Sequence, residues 1–208
     1  MENPTKRVKL GAFGLYWSDY GGLRALMGSS YLHIAVIFSI VSFPIWMNEG
    51  WWDTVISVVP SLAGFSLAAY AMLIAFGNER FLRIITTPVP VEGSSEKDRV
   101  GPSIYLTTGA AFVHFIIVQS VALLIALLCK AWFVPVWPLG KRIFGFVGLS
   151  EMWIVYLSRS FWGIGYFVFI YSVLCGLAAT MRIYRMSRWY SKLLQSDPPA
   201  GQVIDPPK

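Results

Sequence analysis

Four long runs of apolar residues, separated by polar links, dominate the pattern along the chain. They lie at about 31–47, 54–76, 103–128 and 160–181. An α-helix needs roughly 17 to 25 such residues to cross the hydrocarbon core of a bilayer, so the first run is at the lower limit. The pattern predicts an all-α protein, a polytopic bundle of four transmembrane helices. Only residues 48–53 separate the first two runs, so we expect an antiparallel helical hairpin there.

A fifth stretch, residues 143–157, is also apolar, but it contains Glu151 and several glycines. Counting it as a span would place the basic C-terminal segment on the opposite side of the membrane. We interpret it instead as an interfacial or re-entrant segment, with a short helix that starts at Ser150.

Basic residues favour one orientation. They occur in the N-terminal segment, in the link between the second and third runs and in the tail, whereas the first link has only Glu49 and Asp53. The third link also contains basic residues, but they are widely spread. Because Lys and Arg accumulate in cytoplasmic loops, we expect both termini in the cytoplasm of a bacterium, with the spans in its inner membrane. Most of the nine tryptophans then lie at or beyond the outer interface, namely Trp46, Trp51, Trp52, Trp132, Trp137, Trp153 and Trp162. This bias predicts an ordered structure on the outer face.

Composition agrees with a membrane protein and excludes several other classes. The chain is 56% hydrophobic and 13% charged, whereas soluble domains have about 25% charged residues. The net charge of +6 is explained by basic helix ends, and there is neither a basic run nor a soluble domain for nucleic-acid binding. Cys129 and Cys175 fall in different spans and fit no metal or redox spacing, so we expect apolar packing roles. No cofactor is predicted.

No catalytic motif is found. Gly64, Phe65 and Ser66 precede His114 in a later span, which invites comparison with intramembrane serine proteases of the rhomboid type. Those proteases have a glycine after the serine, where this chain has Leu67, and they have more spans. No Asp or Glu lies inside a predicted span, which argues against a proton- or sodium-coupled transporter. We therefore predict that the chain is not an enzyme.

The second span carries a stripe of small side chains at steps of three and four residues, which places them on one helix face. This small-residue stripe consists of Ser57, Ser61, Gly64, Ala68, Ala71 and Ala75. Small residues allow helix backbones to approach closely in a membrane. The stripe therefore predicts either packing within the chain or a helix at the centre of a homo-oligomer, which packs there or lines a narrow apolar pore. Pro60 removes one backbone hydrogen bond and can kink this helix.

Three polar residues are expected at membrane depth: His114, Gln119 and Ser66. Ser66 and His114 should lie at similar depths. A single histidine can remain neutral and bond to a serine or a carbonyl, or it can act in gating or proton sensing. Gln119 is expected to hydrogen-bond between helices, and His33 to lie at the interface.

Four elements are expected on the cytoplasmic side. Residues 1–30 form an N-terminal segment with an interfacial helix, and residues 78–85 continue the second span. Residues 182–195 form a basic amphipathic helix, and residues 196–208 form a flexible tail. The basic residues expected to face anionic lipid headgroups or a partner are Arg80, Arg83, Arg182, Arg185, Arg188 and Lys192. Binding to anionic lipid contributes about 1 kcal/mol per basic residue. The alternative is a docking face for an acidic cytoplasmic protein.

Two functions remain open. One is a homo-oligomeric membrane subunit that anchors or senses and signals to a cytoplasmic partner. The other is a homo-oligomeric channel or pore lined by the second span. In size and layout the chain resembles the small four-span membrane subunits of bacterial anti-phage systems, such as that of the Kiwa system. The resemblance covers the topology and involves no motif. It implies an oligomeric membrane component that works with a separately encoded cytoplasmic protein.

Overall fold

A computed structural model describes residues 11–75, 79–90, 100–131, 146 and 151–196. These residues are almost entirely helical. The helices are α1 (Ala12–Tyr20), α2 (Gly22–Met27), α3 (Ser30–Val41), α4 (Phe43–Trp46), α5 (Trp51–Ala75), α6 (Glu79–Thr86), α7 (Ile104–Ala131) and α8 (Glu151–Ser196). Two short antiparallel strands, β1 (Val89–Pro90) and β2 (Val100–Gly101), pair before α7. The predicted flexible tail beyond residue 196 lies outside the described residues, as do residues 143–145 and 147–150 of the predicted interfacial segment 143–157.

Three helical segments are long and apolar enough to cross a membrane. They are Trp51–Met72, Ile104–Ala131 and Val155–Lys192. Many of their large apolar side chains are exposed, as expected for helices that contact lipid rather than water. The prediction of a helical membrane protein is therefore confirmed.

The first predicted span is interrupted. α3 has 12 residues and is a shorter apolar helix, and Ser42 separates it from α4. Pro44 follows directly and has no N–H to donate to the carbonyl of Ile40, which breaks the hydrogen-bond ladder at this point. Helix α3 alone is about 18 Å long, and α3 with α4 reaches about 25 Å. The interruption therefore has a local cause in the sequence.

Two clusters of buried side chains define the two ends of the bundle. The cluster at what we call the tryptophan end consists of Trp51, Trp52, Val55, Val59, Ala126, Cys129, Trp162, Tyr166 and Phe169. We call the opposite end the arginine end, since Arg83, Arg182 and Arg185 lie there. The cluster toward this end consists of Ala35, Phe81, Ile85, Phe112, Phe115, Tyr171, Cys175, Ala179 and Met186. Cys129 and Cys175 are both free and buried, one in each cluster.

The chain passes between the two clusters four times. α3 and α4 run from Ala35 at the arginine end to Trp46, which packs at the tryptophan end. α5 returns to the arginine end, α7 leads back, and α8 returns again. An ion pair between Lys130 and Asp53, 2.8 Å long, joins the end of α7 to the start of α5. The fold is thus a bundle of four antiparallel helical legs, with α3 packed against α8 and α7 between α5 and α8.

Glycines on α8 make the close helix contacts inside the bundle. A Cβ atom on Gly165 would lie 2.7 Å from Cγ2 of Ile125 and 2.9 Å from Cη2 of Trp51. A Cβ atom on Gly176 would lie 2.8 Å from Cζ of Phe115. Real Cβ atoms do not come this close to other atoms. The absence of a side chain at these two glycines therefore allows α8 to approach α5 and α7 closely.

α8 is continuous over 46 residues, which corresponds to about 69 Å. The short helix expected from Ser150, the fourth span and the basic amphipathic helix at 182–195 are therefore parts of one helix. Its last turns lie beside α6, since the rings of Phe81 and Tyr190 are 5.2 Å apart and Phe81, Ile85 and Met186 belong to one buried cluster. This contact extends the bundle beyond the apolar part of α8 at the arginine end.

A pair of neighbouring isoleucines tests whether α6 packs against the bundle. Ile85 is buried in the cluster that also contains Met186, whereas Ile84 is 51% exposed. We expect Ile85→Ala to reduce stability by about 2 kcal/mol or more, since it leaves a cavity. Ile84→Ala should change stability by a few tenths of a kcal/mol. Thermal unfolding in detergent measures both, and equal effects would show that α6 is not packed in this way.

Candidate functional site

The small-residue stripe lies on an exposed face of α5. All six of its residues are exposed, and a Cβ atom on Gly64 would meet no other atom within 4 Å. Packing within the chain, one of the two interpretations of the stripe, is therefore not what the structure shows. The helix continues through Pro60, which is also exposed.

The face of α5 opposite the stripe carries the intrachain contacts. Val55, Val59 and Ser66 are at most 1% exposed and pack into the bundle. At about 100° per residue they lie on the far side of the helix from Gly64 and Ala68. The buried face of α5 is thus the one opposite the stripe, whereas packing of the stripe within one chain would require the small residues to face the bundle.

His114 lies in a polar site between α1, α7 and α8. Its Nδ1 atom and the Tyr16 hydroxyl share a hydrogen bond of 2.7 Å, and its Nε2 atom and the Tyr171 hydroxyl share one of 3.0 Å. The ring of Tyr20 stacks on the imidazole at a centroid distance of 4.1 Å. A neutral imidazole needs one donor and one acceptor, and a hydroxyl can serve as either.

The partners expected for His114 were a serine or a carbonyl, and the structure gives two tyrosines instead. Ser66 lies elsewhere, with its hydroxyl 3.5 Å from Oε1 of Gln119 and bonded to the carbonyl of Leu62. Sequence reasoning missed Tyr16 and Tyr20 because they precede the first apolar run. Their spacing of four residues, which places both on one face of α1, is the signal that was available.

Helix α1, which was expected to be an interfacial helix, is packed against the bundle. It packs against α7, and Tyr16 reaches a histidine about 15 Å along α7 from the start of that helix. Burial raises the pKa of Tyr16 to about 12. The hydroxyl therefore stays protonated at neutral pH and remains available to His114.

The basic residues of the arginine end are not equivalent. Arg83, Arg185, Arg188 and Lys192 are exposed, and the side chain of Arg80 lies outside the described residues. Arg182 is half-buried, and its Nη1 atom donates to the carbonyl of Thr107, 3.4 Å away. Arg182 thus turns toward the bundle. The four exposed basic residues form a basic surface, as expected from the sequence.

Within the described residues, no group of three or more His, Cys, Asp or Glu side chains is placed to hold a metal ion. Ser66 and Gln119 form a separate buried polar pair and are 1% and 0% exposed.

No protein-family model, curated protein or solved structure matches the chain.

Proposed function

We propose that the chain is a homo-oligomeric subunit of the bacterial inner membrane that anchors, and signals to, a cytoplasmic protein. The observation that carries this proposal is the exposed small-residue stripe on α5. A face of small side chains gains little from contact with lipid, but it lets a second helix approach closely. The stripe is therefore best explained as the surface where copies of the chain meet.

Four membrane crossings are part of the proposal. α3 and α4 together connect the two buried clusters, as each of the other three legs does. Their outward side chains are large and apolar, among them Ile37, Phe38 and Val41. At about 25 Å this leg is shorter than a typical hydrocarbon core of ~30 Å, and such a mismatch is met by local thinning of the bilayer. With four crossings, α1 and the end of α8 lie on the same side.

The arginine end is proposed to be cytoplasmic and to hold the partner. α6 and the last turns of α8 extend the bundle there and present Arg83, Arg185, Arg188 and Lys192. These cations suit anionic headgroups and an acidic protein surface equally. The likeness in layout to membrane subunits of anti-phage systems supports a sensing role in phage defence, with the cytoplasmic protein as effector.

The oligomer can be tested with two tryptophan substitutions on α5. Ala68→Trp places a large ring in the stripe, whereas Ile74→Trp places it on an exposed side about 100° from Ala75. We expect the wild type and Ile74→Trp to have the mass of an oligomer, and Ala68→Trp to dissociate. Light scattering of purified protein, corrected for detergent, measures the mass. A wild type that is a monomer, or an equal response of both variants, would contradict the proposal.

The same stripe supports a second candidate, a narrow pore at the centre of the oligomer, since Ser57 and Ser61 add hydroxyls to its tryptophan-end half. Ion flux into liposomes separates the two candidates. Flux that is lost in Ala71→Trp while the oligomer remains intact would favour the pore. Absence of flux from well-assembled wild type would favour the anchoring and signalling role.

A further inference from the structure

A cavity of about 230 Å³ lies between α1, α5 and α7 at the arginine end. Three tyrosines from three different helices line it, namely Tyr16, Tyr70 and Tyr105. Asp19 of α1 provides a carboxylate at the same cavity. The remaining lining residues are small or apolar: Leu106, Gly109, Ala110 and Val113.

The position of Asp19 is unusual for this chain. Asp19 lies outside every apolar run of the sequence, yet α1 brings it against the first three turns of α7. Among the described residues, no Lys or Arg side chain forms an ion pair with it. Arg182, a half-buried cation of α8, contacts the carbonyl of Thr107, a residue that lies about 200° around α7 from both Tyr105 and Gly109.

Carboxylate and tyrosine rings together are the groups that recognise an organic cation. An ammonium group is attracted to the faces of aromatic rings and gains a charge-assisted contact from a carboxylate. A Cβ atom on Gly109 would lie 3.9 Å from the ring of Tyr70, which is an ordinary contact distance, so a side chain longer than alanine at this position would enter the cavity. We propose that this cavity binds an ammonium group, from an aminophospholipid headgroup or a free amine.

The depth of the cavity suits both sources. Tyr105 lies one residue inside α7 and Tyr70 lies near the end of α5, so the cavity is at the membrane boundary of the arginine end. Headgroups and soluble amines can both reach that level. The proposal is independent of the oligomer, because the stripe is on the exposed face of α5.

Two binding measurements on the full-length protein distinguish the sources. One is the retention of phosphatidylethanolamine in native mass spectrometry, with phosphatidylglycerol as the competing lipid. The other is the rise in thermal unfolding temperature with tetramethylammonium chloride, compared with sodium chloride at equal ionic strength. Retained phosphatidylethanolamine identifies the headgroup, and a specific rise with tetramethylammonium identifies a free amine. Either result supports the site, and the absence of both overturns it.

Three variants connect the binding to this cavity. Asp19→Asn should weaken it by about tenfold or more, since one charge-assisted contact is lost. Gly109→Leu should abolish it by filling the cavity while leaving the carboxylate in place. Glu49→Gln removes an exposed carboxylate in the link before α5 and should bind as the wild type does. Binding that is unchanged in both Asp19→Asn and Gly109→Leu would place the ammonium elsewhere and overturn the proposal.

Discussion

Replacing Gly165 by valine is expected to prevent the four legs from packing. A Cβ atom at this position already lies within 3 Å of both Ile125 and Trp51, and valine adds two methyl groups. Both neighbours are themselves held by packing, Trp51 in the buried cluster at the tryptophan end. Overpacking of this kind costs about 1 to 3 kcal/mol and occasionally more. We expect the protein to be lost from the membrane fraction or to elute as an aggregate.

The matched control is Gly64→Val, the same change on α5. No atom lies within 4 Å of the added Cβ, so the single chain should fold normally. If the stripe is the oligomer contact, this variant should be a stable but dissociated protein. Loss of folding in Gly64→Val together with a normal Gly165→Val would reverse the roles given to the two glycines.

Replacing His114 by alanine is expected to release α1 from the bundle. The change removes both hydrogen bonds to tyrosines and the imidazole on which the ring of Tyr20 stacks. Each buried hydroxyl left without a partner costs about 1 to 3 kcal/mol, in addition to the cavity. We expect a markedly lower unfolding temperature and faster hydrogen exchange in residues 12–20 than in α7.

His33→Ala serves as the control for this prediction. His33 is exposed, and its Nδ1 atom lies 2.8 Å from the carbonyl oxygen of Ser29, one turn earlier. Its loss should change the unfolding temperature little. If His33→Ala and His114→Ala were equally stable, the site at His114 would not hold α1 in place.

The helices could be predicted from the sequence because apolar length is a strong signal. The runs at 54–76, 103–128 and 160–181 overlap the three segments able to cross a membrane. The interruption at Ser42 was harder to foresee, because one proline near a helix end can either kink it or begin a new helix. The full length of α8 was missed because Glu151 and the basic residues were read as signs of separate elements. They indicate where the helix passes from lipid to water, not where it begins or ends.

The candidate site depended on tertiary contacts that no local pattern contains. The period of the stripe was visible in the sequence. Its exposure was not, because it depends on Val55 and Val59, on the opposite face of α5, being the residues that pack into the bundle. His114 was singled out, yet one of its hydrogen-bond partners, Tyr16, comes from α1, nearly a hundred residues earlier in the chain, and the other, Tyr171, comes from α8. The carboxylate of Asp19 looked remote from the spans for the same reason. Helix α1 is the element whose position the sequence pattern left open.

Disulfide cross-linking along α5 tests most directly whether copies of the chain meet at the stripe. Single cysteines would be placed from Val55 to Ala75 in a chain whose Cys129 and Cys175 are replaced by alanine, and oxidised in membranes. Cross-linked dimers are expected at Ser61, Gly64, Ala68 and Ala71, with none at the inward-facing Val59 and Ser66. Efficient cross-linking that ignores this helical period, or none at the stripe positions, would contradict the account.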